Sequence, residues 1–204
     1  MLKEVSFIRV DGEYGGDQNY LPERQMQKGG CSAIVAAELG TCLANIDKKH
    51  EKLSPLSLDV SRESFDDYVI SIYKYVWPKY RGLPSLDYFI ECYDEYLASV
   101  GHKVSYDRLD ETASYDDAEF FLKKHIDEGY PIAFLLLHHE HRLVYDITWH
   151  WFTLTGYEDT PHGLDVIFST FGERCRIPFK ILWERGNPER ETFDDESGGM
   201  LVIR

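Results

Sequence analysis

The sequence has no long hydrophobic run, and this absence excludes whole classes of protein. The longest apolar stretch, residues 132–137, has six residues, whereas a membrane-spanning helix needs about 20. The opening residues MLKEVSF also lack the apolar core of roughly 7 to 15 residues that a secretory signal requires. We therefore expect neither a membrane partner nor export, and a cytoplasmic location.

Cysteine is scarce and widely spaced. Cys31, Cys42, Cys92 and Cys175 form no CxxC pair, so the spacing typical of a zinc site or a disulfide-rich domain is missing. Because no export signal is present, we expect four reduced thiols. Phosphate-binding glycine motifs and calcium-loop spacings are missing as well. The sequence therefore predicts no cofactor and no metal.

Positive charge is also limited. The chain has 22 lysines and arginines against 36 aspartates and glutamates, which gives a net charge of −14 at pH 7. Such a surface is repelled by nucleic-acid phosphates and by anionic lipids. We therefore predict neither nucleic acid nor membrane as a partner, and interpret the charge mainly as a contribution to solubility.

Helical patterns fill the first half of the sequence, and strand patterns fill the second half. We predict helices at residues 31–43, 61–77, 86–97 and 115–128, and strands at residues 102–108, 132–137, 149–156, 165–169, 174–178 and 200–203. A chain of 204 residues with 43 % apolar residues favours one domain, residues 1–204. A helical part, about residues 25–128, followed by an antiparallel sheet part, about residues 130–204, indicates an α+β fold.

Cys31 stands at the start of a helical pattern that is apolar on nearly every face. The unpaired N–H groups of a helix N-terminus favour a thiolate over a thiol. Gln25, six residues upstream, is placed to donate its amide to an oxyanion beside the Cys31 N–H. This combination is typical of a thiol nucleophile. A buried structural cysteine is the simpler alternative for Cys31 considered alone.

His150 opens the strand pattern HWFTLTGY at residues 150–157. An imidazole beside a thiol takes its proton and stabilises the thiolate. A purely structural histidine is the commoner explanation for one such residue. Together with Cys31 and Gln25, however, His150 is predicted to be the base of a Cys-His catalytic pair.

These two segments resemble the motifs of a known family. The segment with Gln25, Cys31, Ala33 and Ala37 is similar to the nucleophile motif of the papain-like cysteine peptidases that remove double-glycine leaders from bacteriocins. Residues 150–157 resemble the base-bearing strand of that group. The order of elements agrees over roughly residues 18–183, although only the two motifs are specific.

The resemblance implies a papain-like fold in which a helical lobe with the nucleophile packs on an antiparallel sheet with the base. It also implies that Cys31 is the nucleophile, Gln25 the oxyanion donor and His150 the base.

The third catalytic position departs from this family. The group carries Asp or Asn at the end of the strand after the histidine strand, where this chain has Ser169 and Thr170. Either hydroxyl can accept a hydrogen bond from the ring, but it stabilises an imidazolium less than a carboxylate does. Asp165 is roughly 13 Å from Ser169 along an extended strand, and Asp146 would have to fold back. Ser169 and Thr170 are therefore the candidates for orienting His150.

The histidine-rich run HHEHR at residues 138–142 resembles a metal-binding tract at first sight. Metal ligands usually come from spaced positions that converge on one ion, and adjacent side chains on an extended loop point apart. We therefore expect a solvated loop near the cleft.

The sequence as a whole predicts a cofactor-free thiol hydrolase that cleaves an amide or peptide bond in a peptide or small acyl substrate. Two alternatives use the same residues. One is an acyl or peptidyl transferase, and the other is a catalytically lapsed module that binds a peptide in the old cleft. The lack of a carboxylate or amide at Ser169 and Thr170 supports the lapsed module.

Overall fold

An antiparallel sheet, drawn mainly from the second half of the chain, carries the core. The computed structural model describes residues 1–78, 82–186 and 196–204. Its strands are β1 (Leu2–Glu4), β2 (Arg9–Val10), β3 (Glu13–Tyr14), β4 (Asp59–Val60), β5 (Tyr106–Asp110), β6 (Ile132–Leu136), β7 (His150–Thr160), β8 (Gly163–Thr170), β9 (Glu173–Pro178) and β10 (Gly199–Ile203). Its α-helices are α1 (Arg24–Gly29), α2 (Cys31–Ile46), α3 (Arg62–Tyr73), α4 (Leu86–Ser99), α5 (Tyr115–Asp127) and α6 (Phe179–Trp183).

The main sheet of the described chain has seven strands. Six follow the order β5-β10-β6-β7-β8-β9, and β1 pairs with the part of β7 that extends beyond β6. All of these pairs are antiparallel. The register places Leu136 opposite His150 and Thr153 opposite Ser169. Strand β7 therefore forms the centre of the sheet, with His150 at its first position.

Helix α2 is buried from Ser32 to Leu43 and packs against β7, β6 and α3. A helix that is apolar all round is stable only inside a protein, which explains its central position. Gly40 lets the aromatic layer approach closely, because a Cβ there would lie 2.9 Å from the Tyr93 hydroxyl. The buried apolar residues of α2 and of the sheet belong to one continuous cluster.

A serine side chain caps the first turn of three helices, α3, α4 and α5. The side chains of Ser61, Ser85 and Ser114 accept from the backbone N–H three residues later, and thereby satisfy one unpaired donor of each helix. Helices together with an antiparallel sheet agree with the predicted α+β class. Helix α3 ends at Tyr73, however, four residues before the predicted end at Trp77.

The N-terminal region and the strand ends differ from the sequence-based expectation. Strands β2 and β3, which no strand pattern in the sequence predicted, form a small second sheet with β4. The strand expected at 102–108 begins only at Tyr106, and β7 continues four residues past 156 to pair with β8 around a two-residue turn. The polar residues at this end of β7 hid its length, since they extend past the apolar core.

None of the described helices is long and apolar enough to cross a membrane.

Candidate functional site

Two glycines bring Cys31 to the start of α2. Gly30 separates α1 from α2 with φ −82° and ψ −3°, a helical conformation that any residue adopts. What requires glycine here is space, since a Cβ on Gly29 would lie 2.7 Å from Pro78 and one on Gly30 2.8 Å from Leu21. The two glycines thus form a close-packed connection between two helices. It leaves the N–H of Cys31 without an acceptor inside its own helix.

The thiol of Cys31 is only partly exposed. Burial raises its pKa above the ordinary value, and the backbone N–H groups of Trp151, Ser32 and Cys31 itself act in the opposite direction. Burial outweighs these donors, so Cys31 rests as a thiol near neutral pH. The helix N-terminus at Cys31 was predictable from the sequence, whereas the burial that opposes its effect on the pKa was not.

His150 is the first residue of β7 and is 8 % exposed. Its Nε2 lies 2.9 Å from the Thr170 hydroxyl, and its ring stacks on Phe171 with centroids 4.8 Å apart. Burial lowers the pKa of His150 to about 4. The imidazole is therefore neutral at physiological pH, and its position is fixed by one hydroxyl and one aromatic face.

Cys31 and His150 line the same small cavity, which is enclosed by the start of α2, the ends of β7 and β8, and the N-terminal residues Gly16 and Gln18. Within residues 1–78, 82–186 and 196–204, no hydrogen bond joins the thiol to the imidazole. The fold thus brings the two predicted partners to one cavity without direct contact. Catalytic hydrogen bonds are often long in a protein without substrate.

The two hydroxyls suggested as orienting groups have different partners. Thr170 contacts the His150 ring, whereas Ser169 donates to the carbonyl of Tyr14 at 2.8 Å. Successive residues of a strand point to opposite faces, so only one of the pair can reach a given side chain. Thr170 is the hydroxyl that holds His150, and Ser169 ties the N-terminal segment to β8.

Gln25 lies on α1, is exposed, and makes no side-chain hydrogen bond to any described residue. Helix α1 is held by two other amides: Gln27 Nε2 donates to the Leu21 carbonyl and Gln18 Nε2 donates to the Gln27 carbonyl, both at 2.8 Å. Gln25 and Cys31 line one larger cleft. The amide is therefore free to meet a ligand bound against the thiol.

This larger cleft has a volume of about 780 Å³, within the range of small-molecule sites. Its described lining residues are Gln25, Lys28, Gly29, Cys31, Trp77, Pro78, Gly82, Leu83, Leu135, Leu137, Trp149 and Trp151. Trp149 has φ +55°, a left-handed conformation that is strained for a bulky side chain. Strain of this kind costs about 1 to 3 kcal/mol and concentrates at functional sites.

Sequence reasoning missed Glu38. This residue lies two turns after Cys31, is 1 % exposed, and lines the small cavity that holds Cys31 and His150. Its carboxyl accepts from the Gly16 N–H at 2.9 Å and from the Thr153 hydroxyl at 2.5 Å. Burial raises the pKa of Glu38 to about 7, against these hydrogen bonds. The signal was visible, because Glu38 is the only charged residue between Cys31 and Leu43.

The loop at residues 138–142, which we expected to be solvated, is exposed only at residues 140–142. His138 is buried, lies 3.2 Å from the Glu196 carboxylate and packs edge-on against Trp149. The ring of His139 bonds to the Ile181 carbonyl at 2.7 Å. No group of three or more metal-ligating side chains converges within the part of the chain that the structure describes. His138 instead packs against Trp149, the residue with the strained backbone that lines the cleft.

No protein-family model, curated protein or solved structure matches the chain.

Replacing Thr170 with valine is expected to lower kcat/KM about fivefold in a thiol-dependent assay with p-nitrophenyl hexanoate. Valine keeps the shape but removes the acceptor for Nε2, and one neutral hydrogen bond contributes about 1 kcal/mol. Thr170→Ser retains the hydroxyl and should keep most of the activity, which controls for packing. Equal rates for the Val and Ser variants would show that Thr170 does not orient His150.

Proposed function

We propose that this protein is a cysteine-dependent hydrolase of papain-like fold that cleaves an amide or peptide bond through an acyl-enzyme on Cys31. The observation that carries the proposal is the shared position of Cys31. It stands at a helix N-terminus, on the wall of an open cleft, and in the cavity that contains His150.

The tautomer of His150 decides its role. If Nε2–H donates to Thr170, Nδ1 carries the lone pair and becomes the base. Nδ1 then takes the proton of the Cys31 thiol as Sγ attacks the substrate carbonyl carbon. The pair reacts from its neutral form, because burial disfavours both the thiolate and the imidazolium before substrate binds.

Attack by Sγ turns the carbonyl oxygen into an oxyanion, and two donors are available for it. One is the N–H of Cys31, and the other is the amide of Gln25 across the cleft. The imidazolium of His150 protonates the leaving amine, the C–N bond breaks, and a thioester remains on Cys31. Water activated by His150 then hydrolyses the thioester and returns the thiol.

Iodoacetamide is expected to label Cys31 before the other three thiols near pH 7.5, because in the proposed mechanism His150 takes the thiol proton as Sγ attacks, although Cys31 rests as a thiol. Cys42 and Cys92 are buried, and Cys175 is a partly exposed thiol outside the cleft, so Cys175 serves as the internal comparison. The measurement is the rate of carbamidomethylation of each cysteine by peptide mass spectrometry. An unreactive Cys31, or equal reactivity of all four thiols, would contradict the proposal.

A transferase forms the same acyl-enzyme and passes it to an amine instead of water. Adding hydroxylamine to the p-nitrophenyl hexanoate assay separates the two, since a transferase gives the hydroxamate in excess of hydrolysis.

A catalytically lapsed binding module is the second candidate, favoured by the hydroxyl in place of a carboxylate at Thr170 and by the absence of a thiol–imidazole hydrogen bond in the described chain. Ligand binding without any acyl-enzyme on Cys31 would support that alternative.

A further inference from the structure

The wall of the large cleft beside Cys31 is apolar. Three tryptophans, three leucines and Pro78 supply most of it, and among the described lining residues only Lys28 carries a charge. Water in such a cleft is displaced favourably by apolar groups and not by charged ones. The cleft therefore favours apolar over charged ligand groups at the binding step, before any reaction takes place.

Two of these indoles are fixed in place. Trp151 donates from Nε1 to the Leu83 carbonyl at 2.8 Å and stacks on Phe89 with centroids 4.7 Å apart. Trp149 is held in its left-handed conformation by a hydrogen bond from its backbone N–H to the Leu137 carbonyl, and the His138 ring packs edge-on against its indole. A cleft whose walls are already ordered loses little conformational entropy when it binds a ligand.

We propose that this cleft is the acyl-binding subsite of the enzyme and that it takes a neutral, apolar acyl group whose carbonyl carbon lies at Cys31. The inference rests on the proposed function for the position of the carbonyl. The preference for apolar groups rests on the tryptophans and leucines alone. A substrate with a charged or small polar acyl part would leave this surface uncovered.

The test is equilibrium binding of primary aliphatic amides to the Cys31→Ala protein, with tryptophan fluorescence as the binding signal. Three of the four tryptophans of the chain line the cleft, so binding should change the emission. Affinity is expected to rise roughly fourfold per methylene, the equivalent of about 0.8 kcal/mol. Hexanamide should therefore bind on the order of 10²-fold more tightly than acetamide.

Trp77→Ala should reduce the ratio of hexanamide to acetamide affinity, because Trp77 is 49 % exposed and lines the cleft. The ratio within one variant is insensitive to a general loss of folded protein. Phe120→Ala is the matched control, since Phe120 is 70 % exposed and lies outside the cleft. Equal affinities for the two amides, or equal ratios in the Trp77 and Phe120 variants, would overturn the subsite.

The subsite and the proposed function fail in different ways. If amide binding to the Cys31→Ala protein depends on chain length but wild-type Cys31 forms no acyl-enzyme, the subsite is supported and the hydrolase is ruled out. Acylation of Cys31 by p-nitrophenyl acetate and hexanoate at equal kcat/KM, with flat amide affinities, leaves the hydrolase standing and removes the subsite.

Discussion

Replacing Cys31 with alanine is expected to abolish turnover of p-nitrophenyl hexanoate, and replacing His150 with alanine to lower kcat by about 10³-fold or more. The thiol forms the bond that breaks in the second half of the reaction, and none of the other described residues that line the cleft carries a thiol to replace it. Nucleophile and base act as one unit, and loss of either costs nearly as much as loss of both. The double variant should therefore be about as slow as Cys31→Ala alone.

Cys175→Ala is the matched control, because it removes a partly exposed thiol outside the cleft. Its kcat should equal that of the wild type. Urea denaturation of each variant checks that activity is not lost by unfolding. Turnover by Cys31→Ala at more than a tenth of the wild-type rate would rule out the thiol as nucleophile.

The sequence was most informative where a local rule determines the outcome. Ser85 and Ser114 cap helices because the hydroxyl meets an N–H three residues on, and this depends on local geometry alone. The strand opened by His150 was visible from its apolar run. Its extension to Thr160 was not, since the last residues of β7 are polar and lack the apolar pattern that marks the rest of the strand.

The candidate site was less accessible to sequence reasoning, because its properties come from burial. A helix N-terminus suggests a reactive thiolate at Cys31, but the surrounding protein raises its pKa. The choice between Ser169 and Thr170 needed the strand register, which places Ser169 opposite Thr153. Glu38 required only attention to one charged residue in an otherwise apolar helix. The roles of Cys31, His150 and Gln25 stay predictions until activity is measured.

The largest expected effect on stability concerns Glu38. Its folded-state pKa of about 7 lies above the ordinary value of 4.5. Below about pH 4.5 the carboxyl is neutral in the folded and unfolded states alike. Between pH 4.5 and about 7 the carboxyl is ionised in the unfolded chain but still protonated in the folded protein. Over this range the free energy of unfolding therefore falls by about 3 kcal/mol from this group, and above pH 7 the loss is complete. Glu38→Gln is neutral at every pH and should escape this loss.

The measurement is the free energy of unfolding in urea for wild type and Glu38→Gln at pH 4.5, 6, 7 and 8. The difference between the two proteins should shift in favour of Glu38→Gln by about 3 kcal/mol from pH 4.5 to pH 8. His150 titrates in both proteins and cancels from the difference. Glu63→Gln, at an exposed position of α3, should show no such shift. A constant difference for Glu38→Gln would contradict the raised pKa.

The contacts of Glu38 explain why burial prevails over hydrogen bonding. The hydrogen bonds that its carboxyl accepts from described residues come from neutral donors, the Gly16 N–H and the Thr153 hydroxyl, and the neutral Ser169 hydroxyl also lowers its pKa. The Glu38 charge in turn raises the pKa of the buried Cys42 thiol. No basic side chain in the described parts of the chain acts on the pKa of Glu38. Neutral donors recover part of the solvation that a carboxylate loses on burial, whereas an ion pair would recover more. A protonated Glu38, or a glutamine in its place, can still accept from the Gly16 N–H while donating to the Thr153 hydroxyl. Glu38→Gln should therefore keep the contact with Gly16, whereas Glu38→Leu removes it.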